Sequence, residues 1–178
     1  MTDQPESGQT PQPNAPQPPR PGALQARLFR APVKLYQAHL GFVLGGRFLM
    51  ITHVGRKSGL TRRTVVEVAR HDPDVPEWYV VSGFGPRSDW FRNLQANPAL
   101  RIDVGTHHFV PEQRFLGVAQ TEELLRDYQR RHPRAAKELG KRLLGADFDA
   151  SPESLHSLAE RMPAVAFRPA PDAVSDEE

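Results

Sequence analysis

Cysteine is absent from the 178 residues. This excludes a disulfide framework, a thiolate nucleophile and any cysteine-based zinc or iron–sulfur site, and it suits a cytoplasmic setting. Long hydrophobic runs are also missing. No stretch approaches the ~20 apolar residues that span a bilayer, and the N-terminus lacks the basic start and apolar segment of a secretory signal. Charge of one sign is scarce too: the formal net charge is +2, too small to imply a nucleic-acid partner by itself. Sequence signatures of familiar chemistry are lacking as well. There is no G-x-S-x-G, no G-x-G-x-x-G after a strand, and no pair of histidines at helical metal-binding spacing. A serine hydrolase, a Rossmann dehydrogenase and a helical metal site therefore find no support.

What is present divides the chain into three. Residues 1–22 are rich in Pro, Gln and Ser and nearly free of large apolar groups, so they read as a disordered tail with polyproline II character. Residues 170–178 read as an acidic disordered tail. Residues 23–169 hold the core. Within them, 24–44 reads as mostly helical. Strands are expected over 48–54, 63–70 and 78–82, the last two separated by a HDPDVPE loop. A short helix capped by Ser88 or Asp89 ends at Pro98. A second hairpin, 100–104 with 108–118, turns near Gly105. Helices follow from a Thr121 cap, over 135–144 and over 152–161, and a last strand covers 164–167. Short connections make the strands antiparallel. Five or six strands with few helices indicate a mainly β fold with flanking helices, closed as a small barrel rather than doubly wound.

Two motifs carry chemistry. The stretch HVGRKSGLTRR, residues 53–63, concentrates Arg56, Lys57, Arg62 and Arg63 about a turn bounded by Gly55 and Gly59. It is not a phosphate loop of the Walker kind, because Arg rather than Gly precedes the Lys-Ser pair and a strand rather than a helix follows. Arg56, Lys57 and Arg62 converging on phosphate or carboxylate, with Ser58 and turn N–H groups as neutral donors, would make an anion cradle. A solvated, charge-protected hairpin is the plainer alternative. The second motif is SGFGPRSDWFRNLQANP, residues 82–98. Gly83 and Gly85 permit close approach to a ligand. Trp90 reads as a core anchor and Asn93 as a partner of backbone. The histidines, His53 among them, read as isolated.

Together, FLMITHVGRKSGLTRRTVVEV, WYVVSGFGPRSDWFRNLQANP and RIDVG resemble the deazaflavin-dependent nitroreductase family, typified in actinobacteria. The resemblance covers most of residues 34–168, and the pair G-R-K-S-G and W-x-x-N-x-x-x-N-P in this order is specific. It implies an antiparallel split β-barrel of the FMN-binding type and an oxidoreductase that uses coenzyme F420, with FMN the alternative, to reduce a quinone-like small-molecule acceptor. By motif, Arg56, Lys57, Ser58 and Arg62 would hold the phosphate and polyglutamate tail. Thr64 and Val65 would line the ring, and Ser82, Gly83, Phe84 and Gly85 would approach the phosphate or ring edge. Ser82, Tyr128 and His132 are the candidate catalytic groups. The chain departs from the nitro-reducing pattern at Gly83, where those members carry lysine, and at His132, Ala135 and Glu138, where they carry tyrosines. These departures weigh against nitroreductase activity. A non-catalytic barrel carrying a fatty acid, haem or flavin is the reading from another class. No metal and no nucleic acid are expected. The segment 24–44 could lie on the inner membrane surface, and a homodimer is one open option for the assembly.

Overall fold

The structure, a computed structural model, describes residues 46–145 and 148–171. The expected helix over 24–44, with its membrane-surface role, and the tail over 1–22 lie outside the described residues. The described chain forms seven strands: β1 Phe48–Val54, β2 Thr61–Asp72, β3 Glu77–Val81, β4 Arg101–Val104, β5 His107–Phe109, β6 Pro111–Phe115 and β7 Ala164–Pro169. Four helices accompany them: α1 Asp89–Ala96, α2 Val118–Arg131, α3 Pro133–Leu144 and α4 Pro152–Arg161. All ladders are antiparallel.

The strand order β5-β4-β1-β2-β3-β7-β6 forces closure. A flat sheet of seven strands would separate its edges by roughly 29 Å at the usual interstrand spacing. Yet the two edge strands, β5 and β6, are joined through Val110 alone, and the two Cα steps across it span no more than about 7 Å. The sheet must therefore roll until its edges meet. No ladder joins β5 to β6 directly, so the seam stays split. The sequence pattern reads 108–118 as one strand. The structure breaks it at Val110, because the first half pairs with β4 and the second with β7. The break raises the strand count to seven.

Alternation along the strands sorts side chains to two faces. Leu49, Ile51, Val80, Ile102, Val104, Val165 and Phe167 fill the interior, and Trp90, Phe91 and Leu94 of α1 close one end as a plug. Trp90 is thus the core anchor expected. The outer face carries Ala69, Tyr79, Ala164 and Ala166 beneath Leu124 and Tyr128 of α2 and Ala136 of α3. The small alanines let the helices approach closely. A register shift between Val68 and Arg70 sets Ala69 and Arg70 consecutively on that outer face, where the Arg70 guanidinium lies 4.2 Å over the Tyr79 ring.

Two boundaries differ from expectation. Helix α2 begins at Val118 with Gly117 as its cap; the Gln120 side chain accepts the Gly117 N–H at 3.3 Å. Thr121 is an interior, buried helical residue, not the cap, because the turn before it is already helical. At the other end of the core, the Ala170 N–H still reaches the Val110 carbonyl at 3.0 Å, so ordered contacts continue one residue into the expected acidic tail.

Gln113 fastens the plug to the barrel. Its amide donates to the Leu94 carbonyl and accepts from the Ala99 N–H, both at 2.9 Å. Replacing it with leucine strands two backbone polar groups, so Gln113→Leu is expected to lose about 1–3 kcal/mol in chemical denaturation, with an unchanged m-value.

Candidate functional site

The basic turn is built by the β1–β2 hairpin. The Gly55 carbonyl accepts the N–H groups of Ser58 at 3.1 Å and Gly59 at 2.8 Å, and the Gly55 N–H meets the Leu60 carbonyl at 2.9 Å. Gly59 has φ +65°, the left-handed region that favours glycine. A Cβ on Gly55 would stand 2.7 Å from Ser58 Oγ and 3.3 Å from the Leu60 carbonyl, so a side chain there would have to push the Ser58 hydroxyl aside and crowd the turn.

The four cations of this turn do not act as one group. Arg56 is turned back onto α1. Its guanidinium donates to Asn93 Oδ1 at 2.9 Å and pairs with Asp89 Oδ1 at 2.9 Å, while its backbone N–H reaches the same Asn93 oxygen at 3.1 Å. Lys57, Ser58 and Arg62 are exposed at the rim. Arg62 pairs with His53 in register and belongs to the inner row of β2 with Thr64 and Val66. Arg63 belongs to the outer row with Val65 and Glu67. Thr64 and Val65, expected together at a ring, therefore face opposite sides of the sheet. Lys57, Arg62, Arg63 and Arg87 form no ion pair with another described residue.

Behind the turn lies a buried polar chain. Asn93 spends its oxygen on Arg56, so its Nδ2 must donate, and it meets His53 Nδ1 at 3.2 Å. His53 Nδ1 is thereby an acceptor and Nε2 carries the proton toward Thr64 Oγ1, 3.2 Å away. His53 is 2% exposed. Burial lowers its pKa; a Val54 backbone contact works against this, and the Arg62 charge adds to the lowering. A second proton would set N–H against the Asn93 amide N–H. The residue that the sequence leaves isolated is thus the hub of an inner network. Asn93, expected to pair with backbone, pairs mainly with side chains.

The 82–89 loop is internally satisfied. Ser82 Oγ is fully buried and lies 2.7 Å from both the Gly85 carbonyl and Ser88 Oγ; Ser88 Oγ lies 3.0 Å from that carbonyl. Ser82 therefore shapes the loop, and its hydroxyl is not presented to a ligand. Gly85 adopts φ +74° against the Arg161 carbonyl. A Cβ on Gly83 would find nothing within 4 Å, so that position opens onto free space, and Phe84 beside it is half-buried.

Two other candidates are brought together on the outer face. Tyr128 and His132 rings lie 5.0 Å apart. The Tyr128 hydroxyl lies 3.4 Å from Glu67 Oε1, which also sits 3.5 Å from Arg47. Burial raises the Tyr128 pKa, with the Glu67 charge and hydrogen bond acting in the same sense, so the phenol keeps its proton at neutral pH. Glu67 and Arg47 escaped sequence reasoning. A glutamate in an alternating strand is an ordinary surface residue until α2 is known to pack over it. From Arg63 to Glu67 the outer row runs about 13 Å at the usual rise per residue. It is cationic at the turn, apolar at Val65, and acid–phenol at the far end. Among the described residues no cluster of three or more His, Asp or Glu could hold a metal ion, and no helix is long and apolar enough to cross a membrane.

The family described as F420H(2)-dependent quinone reductase matches residues 25–139. No curated protein matches the chain. Among solved structures, one described as an F420-H2 dependent reductase, FDR-A, is 17% identical with a TM-score of 0.48, and the match covers 68% of this chain and 94% of that one. One described as a domain-swapped dimer is 15% identical with a TM-score of 0.48, covering 77% and 99%. A conserved hypothetical protein from Mycobacterium tuberculosis is 16% identical with a TM-score of 0.42, covering 75% and 79%.

His53 sets a pH dependence with a definite sign. Its folded pKa is depressed, so the unfolded chain binds the proton more readily. Its contribution is complete above the unfolded value near 6.5 and is lost as pH falls below it. The exposed His156, raised chiefly by its bond to Glu122, works in the opposite sense. Melting temperatures from pH 7.5 to 5 are expected to fall more steeply for the wild type than for His53→Asn, which starts lower and stays flatter.

Proposed function

The chain belongs to the F420H(2)-dependent quinone reductase family, and from that premise we propose that it reduces a quinone-like acceptor with a hydride from F420H2, gripping the cofactor's negative end at the β1–β2 turn. It is an F420H2-dependent reductase by family, which sets aside both the non-catalytic carrier and FMN as the cofactor. The observation that supports the placement is the set of cations that form no ion pair with another described residue, Lys57, Arg62 and Arg63, in and beside the β1–β2 turn. Unneutralised charge held close on a rigid hairpin repels itself. A phosphate followed by glutamyl carboxylates relieves that repulsion and gains charge-assisted hydrogen bonds. The donor set fits such a group.

Bound reduced F420 supplies a hydride at C5 of its deazaflavin ring, and the protein's part is to hold, orient and shield. Lys57, with its own backbone N–H, and Ser58 would bind the anionic end, and Arg63 would extend the grip along the outer row. Val65 offers an apolar surface beside the ring, and Gly83 leaves the loop side open to it. The buried Ser82 acts through the loop's shape. A quinone that takes up a hydride needs one proton to become a quinol. We assign that proton to Tyr128, a reading supported by its hydroxyl lying 3.4 Å from Glu67 Oε1 and its ring lying beside His132. Gly83 stands where the resemblance expects lysine in nitro-reducing members, which weighs against a nitro acceptor.

Mixing protein, F420H2 and menadione should oxidise the deazaflavin well above the protein-free rate, followed by its absorbance. No excess oxidation across several quinones would count against the reading. Lys57→Gln with Arg63→Gln is expected to raise the Kd for F420 at least tenfold and to flatten its salt dependence. Tyr128→Phe is expected to lower kcat by roughly 10²-fold with little change in KM; an unchanged kcat would remove Tyr128 from the proton step.

A further inference from the structure

Arg56 stands in the middle of the most cationic segment of the chain, yet its charge does not face outward. The side chain is only 18% exposed, and both terminal nitrogens are committed to α1, one to Asn93 Oδ1 and the other to Asp89 Oδ1. The Asp89 carbonyl adds a contact at 3.4 Å. Asp89 and Asn93 are four residues apart, one helical turn, and so share the face that looks at the turn. Asn93 is buried and held from behind by His53, whereas the Asp89 side chain is 85% exposed.

We propose that Asp89 and Asn93 are positioning residues for the anion grip, holding the β1–β2 turn through Arg56 in the shape that presents Lys57, with its backbone N–H, and Ser58 to phosphate. This rests on the proposed placement of F420 at the turn. The clamp takes the guanidinium and the backbone N–H of one residue at once, so it fixes the orientation as well as the position of the peptide that leads into Lys57. Anchoring the turn beforehand spares the ordering entropy that a loose hairpin tip would lose on binding. Asp89 thus carries a negative charge close to a polyanion site and still favours binding.

That consequence reverses the sign expected from charge alone. Long-range electrostatics has Asp89→Ala strengthen the binding of a polyanion, because it removes a repelling carboxylate. A positioning role has the same variant weaken it. Asp89→Asn, which removes the charge but keeps an acceptor oxygen for Arg56, separates the two. The measurement is the Kd for F420, by deazaflavin fluorescence, for wild type, Asp89→Ala, Asp89→Asn and Asn93→Leu, with a melting curve for each.

We expect Asp89→Ala to weaken binding about threefold to tenfold at an unchanged melting temperature, Asp89→Asn to recover wild-type affinity or better, and Asn93→Leu to weaken it further. Asp89→Ala binding as well as or better than wild type overturns the inference, as does weakening by Asp89→Asn equal to that by Asp89→Ala. Should Asn93→Leu fail to fold, the exposed Asp89 pair decides the matter. A wild type that binds no F420 overturns the placement and this inference together, whereas wild-type binding with the order of variants reversed overturns this inference alone.

Discussion

One side-chain amide ties the molecule's inside to its working edge. Asn93 accepts two N–H groups of Arg56 on one side and donates to His53 on the other. Helix α1 is the plug of the barrel and the β1–β2 turn is its rim, so this amide couples the position of the rim to the packing of the core. An amide suits the place because it is both acceptor and donor within one rigid plane. A carboxylate would lack the donor, and an apolar residue would take the partner from the Arg56 backbone N–H and from His53 Nδ1, at a cost larger than any single surface contact returns.

Around that link the charge is sorted by role. Arg56 is spent on structure. The other cations of the turn form no ion pair with another described residue, whereas Arg126 pairs with Glu122, Arg130 and Arg131 with Asp127, and Arg168 with Glu112. Those pairs lie on helices or an edge strand and are worth little each in solvent. This contrast is what motivates the proposed anion grip at the turn. A net charge of +2 hides this completely.

The barrel gives the proposed site a rigid base. Its interior is filled by aliphatic and aromatic side chains. The outer face of β2, by contrast, changes character along its length, from arginine through valine to a glutamate that meets a tyrosine from α2. That tyrosine arrives because Ala69, Ala164 and Ala166 keep the outer sheet surface low enough for helices to lie against it.

Much of the fold was legible in the sequence. Apolar alternation over 48–54 and 164–167, glycine-marked turns and Asn-Pro at the end of α1 are local signals, and local sterics decide them. So was the concentration of cations in HVGRKSGLTRR and the family to which it points. What the sequence could not decide is which cations stay free. That depends on partners distant in the chain: Asp89 and Asn93 claim Arg56 from more than thirty residues away, and strand alternation sends Arg62 and Arg63 to opposite faces. The same holds for Ser82, whose hydroxyl the loop consumes, and for Glu67, which becomes part of a site only when Tyr128 is laid over it. Residue type and spacing fix short-range conformation, whereas the vacancy or commitment of a polar group is a property of its surroundings, which only the closed barrel assembles.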